Sequence, residues 1–272
     1  MALTLIQRSV CRILAADRKQ SGESYVAGGA ALGEALGHTR ISRDLDIFHD
    51  GVEAVTRSWQ RDSLLLTAAG YAVTPLRDRP GYVEALVEKD DSRVVLEWSR
   101  DSAFRFFPLV EHEDFGLVLH PFDLATNKVL ALVGRLEARD WVDVIAAHER
   151  LQPLGYLAWA AAGKDPGFTA AGILEQAGRS TRYTQEEIDS LAFDGLAPSA
   201  ADLSRRWHDA LAQARTLVAR LPTGHHGAAV LANGTDLFDG GVGELDAALS
   251  KGELRFHRGR LGGAWPVVIS PQ

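Results

Sequence analysis

The stretch Arg40-Ile-Ser-Arg-Asp-Leu-Asp-Ile-Phe48 constrains this chain more than any other. An extended strand sends alternate side chains to opposite faces, so Ser42, Asp44 and Asp46 share one face while Leu45 and Ile47 enter a core on the other. The strand therefore belongs to a sheet with one apolar and one polar face. Two carboxylates side by side on a bare sheet repel each other, and a divalent cation with oxygen ligands, in the manner of Mg²⁺, is the usual remedy. For an isolated Asp-x-Asp the alternative is a solvated edge strand ending in an Asx turn.

What precedes this strand sharpens the reading. Tyr25-Val-Ala is a strand candidate that runs into Gly28-Gly29 and then into an alanine-rich helix ending at Gly37. Missing Cβ atoms at that junction permit close approach, and a helix N-terminus offers free N–H groups to a phosphate. A glycine turn alone is weak evidence. Followed within about one helix by an Asp-x-Asp strand, it forms the combination that transfer from a nucleoside triphosphate requires. A third carboxylate is then expected on a neighbouring strand. In Val94-Val-Leu-Glu-Trp98, alternation sets Glu97 opposite Val94, Leu96 and Trp98, with Asp101, Glu84 and Glu88 as alternatives, and the exposed side of an amphipathic strand as the plain structural reading.

Helix patterns follow at Phe122–Arg135 and Arg139–Arg150. The first carries Lys128, one of only five lysines, for which a triphosphate contact stands beside the ordinary solvated reading. The second carries Asp140 and Asp143 three residues apart on one side, and Asp140 could equally cap that helix.

Around this segment, the first half interleaves strands and helices, so it reads as α/β or α+β. A helix over 4–19, a helix over 52–69 and strands at Tyr71–Val73, Tyr82–Val87 and Val94–Trp98 are expected, with turns at Arg77–Gly81 and Asp90–Ser92. Beyond Pro121 the pattern is helical. Thr184–Glu187 has capping-box spacing, and Ser199 precedes a helix with Leu203, Trp207, Leu211, Ala214, Val218 and Leu221 along one stripe. The tail Leu254–Val268 reads as a hairpin around Gly262-Gly263. The composition shift near 150 divides a domain 1–150 from a helical domain 151–272.

Hydrophobic residues at 46% and charged residues at 24% exclude disordered and collagen-like classes. One cysteine, Cys11, excludes an internal disulfide and a zinc finger, and fits a reducing cytoplasm. Gln7, Arg8 and Arg12 interrupt the apolar N-terminal run, so no secretory signal and no membrane span are expected, and the protein is read as cytoplasmic. A net charge of −7 argues against a nucleic-acid coat over the whole surface but leaves room for a local basic groove.

The pattern G-G-x-A-L, then R-x-S-x-D-L-D-h-F, then D-L-x-x-x-K-x-x-A-L and R-D-x-x-D, over residues 25–145, resembles the AbiEii toxin type of nucleotidyltransferase, a branch of the DNA-polymerase-beta-like superfamily. The resemblance implies an α+β fold: a nucleotidyltransferase-type mixed sheet with flanking helices, followed by a mainly α-helical C-terminal region. It implies Asp44 and Asp46 as Mg²⁺ ligands, Gly28, Gly29 and Ser42 at the triphosphate, Lys128 gripping phosphates, and Asp140 in the active site. With Glu97 as third metal ligand, two Mg²⁺ ions are expected, with an NTP as substrate. Two departures stand out. Ala30 takes a place often held by a hydroxyl residue, which shifts phosphate contact toward Ser42 and backbone N–H groups, and Glu97 stands where aspartate is usual.

Three functions follow as expectations. The first is metal-dependent transfer of NMP to a hydroxyl acceptor on RNA or protein, as the toxin of a bacterial toxin–antitoxin pair with an antitoxin protein as partner. The second is a small-molecule, aminoglycoside-like nucleotidyltransferase, and the third a catalytically incomplete binding module. His225-His226 reads as a loop pair, and Arg255–Arg260 as a solvated hairpin face that could alternatively touch RNA.

Overall fold

The computed structural model describes residues 3–179 and 183–266. Helix α1 (Leu5–Ser21) leads into strand β1 (Tyr25–Ala27), helix α2 (Gly28–Leu36), strands β2 (Arg40–Ile41) and β3 (Asp44–His49), and helix α3 (Val52–Ala68). Strands β4 (Ala72–Arg79), β5 (Tyr82–Lys89), β6 (Ser92–Arg100), β7 (Phe104–Arg105), β8 (Val110–His112) and β9 (Gly116–Val118) follow. Next come helices α4 (Pro121–Arg135), α5 (Ala138–Arg150), α6 (Leu154–Ala161), α7 (Ala170–Ala177) and α8 (Gln185–Asp189), the short strand β10 (Ala192–Phe193) and helix α9 (Ala200–Arg220). Strands β11 (Ala228–Ala232) and β12 (Asp236–Leu237), helix α10 (Val242–Lys251) and strands β13 (Leu254–Arg258) and β14 (Arg260–Leu261) complete the described chain. Among the described residues no helix is long and apolar enough to cross a membrane.

Two units divide the chain. The first, Met1–Ala103 with Leu109–His120 and Ala192–Gly195, contains a seven-stranded mixed sheet of order β4-β5-β6-β3-β1-β9-β8. β3 runs parallel to β6 and β1 parallel to β9, while the other neighbours are antiparallel. One face is a core in which Leu45, Ile47, Val83, Ala85, Val87, Leu96 and Trp98 are all buried, with α1 and α3 packed on it. The Trp98 indole N–H anchors this side by donating to Asp62 of α3 at 2.7 Å. The other face is half-exposed: β3 and the middle residues of β5 and β6 alternate between buried and intermediate positions. That is the two-faced sheet the Asp44–Asp46 alternation calls for.

The second unit, Phe104–Pro108 with Pro121–Leu191 and Leu196–Gln272, is built around α6. Every residue of α6 is buried, as expected of a helix that is apolar all round, and α4, α5, α7, α9 and β11 surround it. Tyr156, Trp159, Leu217, Val230 and Leu245 make one cluster of this core. Because α4 and α5 pack on α6, they fall in this unit although they precede residue 150. The division of the chain therefore comes at Pro121, with two short excursions, rather than at 150.

Local signals account for most element ends. Thr4 and Gln7 cap α1 reciprocally, as Thr184 and Glu187 cap α8, and Ser199 caps α9. Leu203, Trp207, Leu211 and Ala214 of α9 face the core as expected, with Leu217 as the next fully buried position and Val218 partly buried beside it.

Two local expectations differ from the structure, and one strand was not anticipated. β4 runs on through Arg79, so the turn shrinks to Pro80-Gly81; a register shift between Pro75 and Arg77 lets an edge strand accommodate a residue without an N–H, and Arg77 then pairs with Glu84. The tail does not fold on itself: β13 pairs with β11 and β14 with β7, while residues 267 and 268 lie outside the described ones. β11, an alanine-rich run with little strand propensity, is held by its partners β12 and β13 and by α6 beneath it.

Candidate active site

The open face of the first unit's sheet is where its acidic residues meet. Ala27, Asp46, Glu97, Glu84 and Arg77 are successive Cα partners on β1, β3, β6, β5 and β4, forming one row straight across five strands. Asp44 sits two residues before Asp46 on the same face, opposite Val95. Directly opposed like charges destabilise a sheet, so this row needs compensation. At its outer end Arg77 supplies some, with its guanidinium 3.2 Å from Glu84. Tyr82, one pleat along β5, donates its hydroxyl to Glu97 and, at 3.5 Å, to Glu84.

The inner end of the row meets the glycine turn. Gly28 adopts φ +67°, and a Cβ there would lie 1.7 Å from Asp46 Oδ2. Only glycine allows the Asp46 carboxylate to lie against the first turn of α2, where unpaired N–H groups and the helix dipole favour negative charge. Beside it, a Cβ on Gly29 would lie 2.5 Å from the Arg40 guanidinium and 3.1 Å from the Ser42 hydroxyl. Gly28, Gly29, Ser42, Asp46 and Glu97 are thus brought together within one unit, with Asp44 on the adjoining pleat. Ala30 is fully buried in α2, so its methyl belongs to the core and polar contacts at this turn come from its neighbours.

Electrostatics single out Glu97. Half-burial raises its carboxyl above the usual range, and the charges of Asp46 and Asp44 raise it further, against an opposing hydrogen bond from Tyr82. In turn, burial and the Glu97 and Glu84 charges push the Tyr82 phenol up to about 12. Crowded carboxylates, all oxygen donors, match the preference of a hard divalent cation, which would relieve the repulsion that raises Glu97. Among the described residues, however, no three His, Cys, Asp or Glu side chains are already closed around one cation-sized point.

Lys128 and Asp140 belong to the second unit, where they meet each other. Lys128 Nζ lies 2.9 Å from Asp140 Oδ1 and 3.1 Å from Asp143 Oδ2. Arg135 adds a bidentate contact to Asp140 at 2.6 and 2.8 Å. Burial would raise the Asp140 carboxyl, but the Arg135 and Lys128 cations overcome that and hold it below the usual range. The sequence spacing paired Asp140 with Asp143; the structure adds Lys128 and Arg135 to the same cluster.

Other candidates have local duties. His225 stacks on Phe256 with ring centroids 4.1 Å apart, and His226 accepts the Ala170 N–H. Within the Arg255–Arg260 stretch, Arg258 donates to the Gly224 carbonyl. Two residues beside the glycine turn and the acidic row had no role in the sequence reading. Tyr82 could have been found by the same alternation that places Glu84, and Arg40 by its position in the R-x-S-x-D-L-D motif.

This sheet, with its glycine turn and acidic face, is the fold of a nucleotidyltransferase. MenT4, a nucleotidyltransferase toxin from Mycobacterium tuberculosis, superposes with a TM-score of 0.52 at 16% identity, over 80% of this chain and 84% of that chain. Two Helicobacter pylori structures, the second of them JHP933, match at 15% identity with TM-scores of 0.49 and 0.48, over 79% and 80% of this chain and 95% and 92% of theirs. At such identities the likeness is one of fold. No protein-family model matches the chain, and no curated protein matches it by sequence.

Proposed function

We propose that this chain is a metal-dependent nucleotidyltransferase that moves NMP from an NTP to a hydroxyl acceptor. The observation that carries the reading is the opposition of Asp46 and Glu97 on parallel strands, with the Asp46 carboxylate seated on the Gly28 turn. Asp44, Asp46 and Glu97 are the residues to hold Mg²⁺, two ions in the full arrangement, which when bound would neutralise triphosphate charge and polarise the reacting phosphate. Gly28 and Gly29 N–H groups and the Ser42 hydroxyl orient the phosphates. Glu97, opposite Asp46 on the same face, assists removal of the acceptor hydroxyl's proton as that oxygen bonds to the α-phosphorus. The bond from the α-phosphorus to the bridging oxygen breaks, and pyrophosphate leaves.

Lys128 keeps the phosphate-gripping role and Asp140 the active-site role expected from sequence. A titration of Lys128→Ala should then show a greater loss for ATP than for AMP.

MenT4 is a nucleotidyltransferase toxin, and that likeness supports a toxin role here; the cytoplasm as its place, RNA or protein as its acceptor and an antitoxin protein as its partner rest on the resemblance in sequence pattern. The crowding of carboxylates on the open face favours one alternative, a cationic small-molecule acceptor of the aminoglycoside kind. Labelled NTPs offered with total RNA, total protein and an aminoglycoside panel, beside the Asp44→Ala protein, test all of this. Metal-dependent label in RNA or protein, with growth arrest on induction, is the expected result. Label in the small molecules alone would select the alternative, and no turnover with any NTP would leave a binding module.

A further inference from the structure

Residues 38–43, which carry Ser42, have little regular structure of their own yet are tied at several points. Ile41 and Arg40 of β2 pair antiparallel with Ala192 and Phe193 of β10, and the Asp194 N–H donates to the Thr39 carbonyl at 2.7 Å. The Gln7 side-chain amide donates to the Ser42 carbonyl at 2.7 Å, and the Arg40 N–H to His38 Nδ1 at 2.9 Å. Among the described residues β10 is the only strand that pairs with β2.

β10 is an unusual partner. It comes from far along the chain, between α8 and α9, and groups with the first unit while its flanking residues group with the second. Both of its residues are only half-buried, so core formation does not explain it. Gly195 then adopts φ +100°, a conformation open to glycine, and turns the chain away. What β10 supplies is a set of backbone hydrogen bonds to the arm whose Arg40 guanidinium and Ser42 hydroxyl crowd the Gly29 position. Arg40 itself is only 4% exposed, which suits a group that holds its neighbours in place rather than one that meets a ligand directly.

We infer that β10 is a positioning strap: by pairing with β2 it fixes Arg40 and Ser42 against the Gly28–Gly29 turn, so the phosphate-contacting groups are preorganised before nucleotide arrives. This rests on the nucleotidyltransferase reading and adds to it a binding determinant from the second half of the sequence. A preorganised arm spares the nucleotide the ordering of residues 38–43, so its loss should appear in affinity more than in the chemical step.

Two variants test the strap. Asp194→Pro removes the N–H that bonds Thr39, and Gly195→Ala forces the exit turn off φ +100° although its methyl meets nothing within 4 Å. Both are titrated with ATP and with GTP in Mg²⁺, followed by amide hydrogen exchange at residues 40–42, and assayed for NMP transfer. The expected result is faster exchange at 40–42 in both, about tenfold weaker nucleotide binding, and a kcat within about threefold of wild type, with melting temperatures little changed. Faster exchange with unaltered affinity would overturn the inference, as would unaltered exchange in Asp194→Pro. If the wild-type protein itself binds neither nucleotide, the functional reading fails, and exchange at 40–42 alone decides whether the strap holds the arm.

Discussion

Glu97 carries the opposing demands of this protein in one side chain. Its carboxyl is raised by half-burial and by Asp46 and Asp44, so the folded form binds its proton more tightly than the unfolded chain does. Stability from this group is fully present below its unfolded value near 4.5 and is lost as pH rises through the folded value. Glu97→Gln should therefore melt at the same temperature as wild type or higher at pH 7, with the difference shrinking toward pH 4, while NMP transfer falls sharply. Melts across that range check it, and a variant less stable than wild type at pH 7 would refute the repulsion. Lys128 is the opposite case. Lys128→Ala would remove the cation that Asp140 shares with Asp143 while Arg135 stays on Asp140, a loss of about 1–3 kcal/mol by denaturant unfolding. That Asp44 and Asp46 share a face could be read directly, because strand alternation is a local rule. That Glu97 faces Asp46 could only be expected in outline, since the register of two strands far apart in sequence is set by everything packed beneath them.

Among the elements, the junction of β1 and α2 shows how a backbone conformation can decide the chemistry. Gly28→Ala would put a non-glycine residue at φ +67°, at about 1–2 kcal/mol, and its methyl would collide with the Asp46 carboxylate. The expected outcome is loss of transfer activity together with a modest fall in melting temperature; activity equal to wild type would remove the turn from the site. The starts of α1, α8 and α9 were legible to within a residue or two because their caps are written in neighbouring side chains. β11 was not, since Ala228–Ala232 has the composition of a helix and becomes a strand only where β13, β12 and α6 meet it. The same physics undid the expected tail hairpin: Gly262-Gly263 signals a turn, but Leu254–Arg258 finds a better partner in β11 than in its own continuation.

At the scale of the whole molecule, the α+β class and the change to helix were visible in periodicity, whereas the place of division was not: α4 and α5 are assigned by their packing on α6, which no local pattern reveals. A net charge of −7 also means that any salt will relieve some general repulsion, so metal binding must be separated from screening. The separation is quantitative. A cation that binds only the folded chain adds about 2.7 kcal/mol at a hundred times its Kd, and for a chain of this size 1 kcal/mol raises the melting temperature by roughly 2–4 °C. Mg²⁺ should thus raise the midpoint by about 5 °C or more over NaCl of equal ionic strength, with new hydrogen-exchange protection confined to β3 and β6. The gain should shrink as pH falls and protons compete for the carboxylates, and it should vanish in Asp46→Ala, whose own midpoint without Mg²⁺ should not lie far below wild type. An equal rise with NaCl and Mg²⁺, or one that survives Asp46→Ala, would mean that the acidic row is relieved by Arg77, Tyr82 and water rather than by a metal ion.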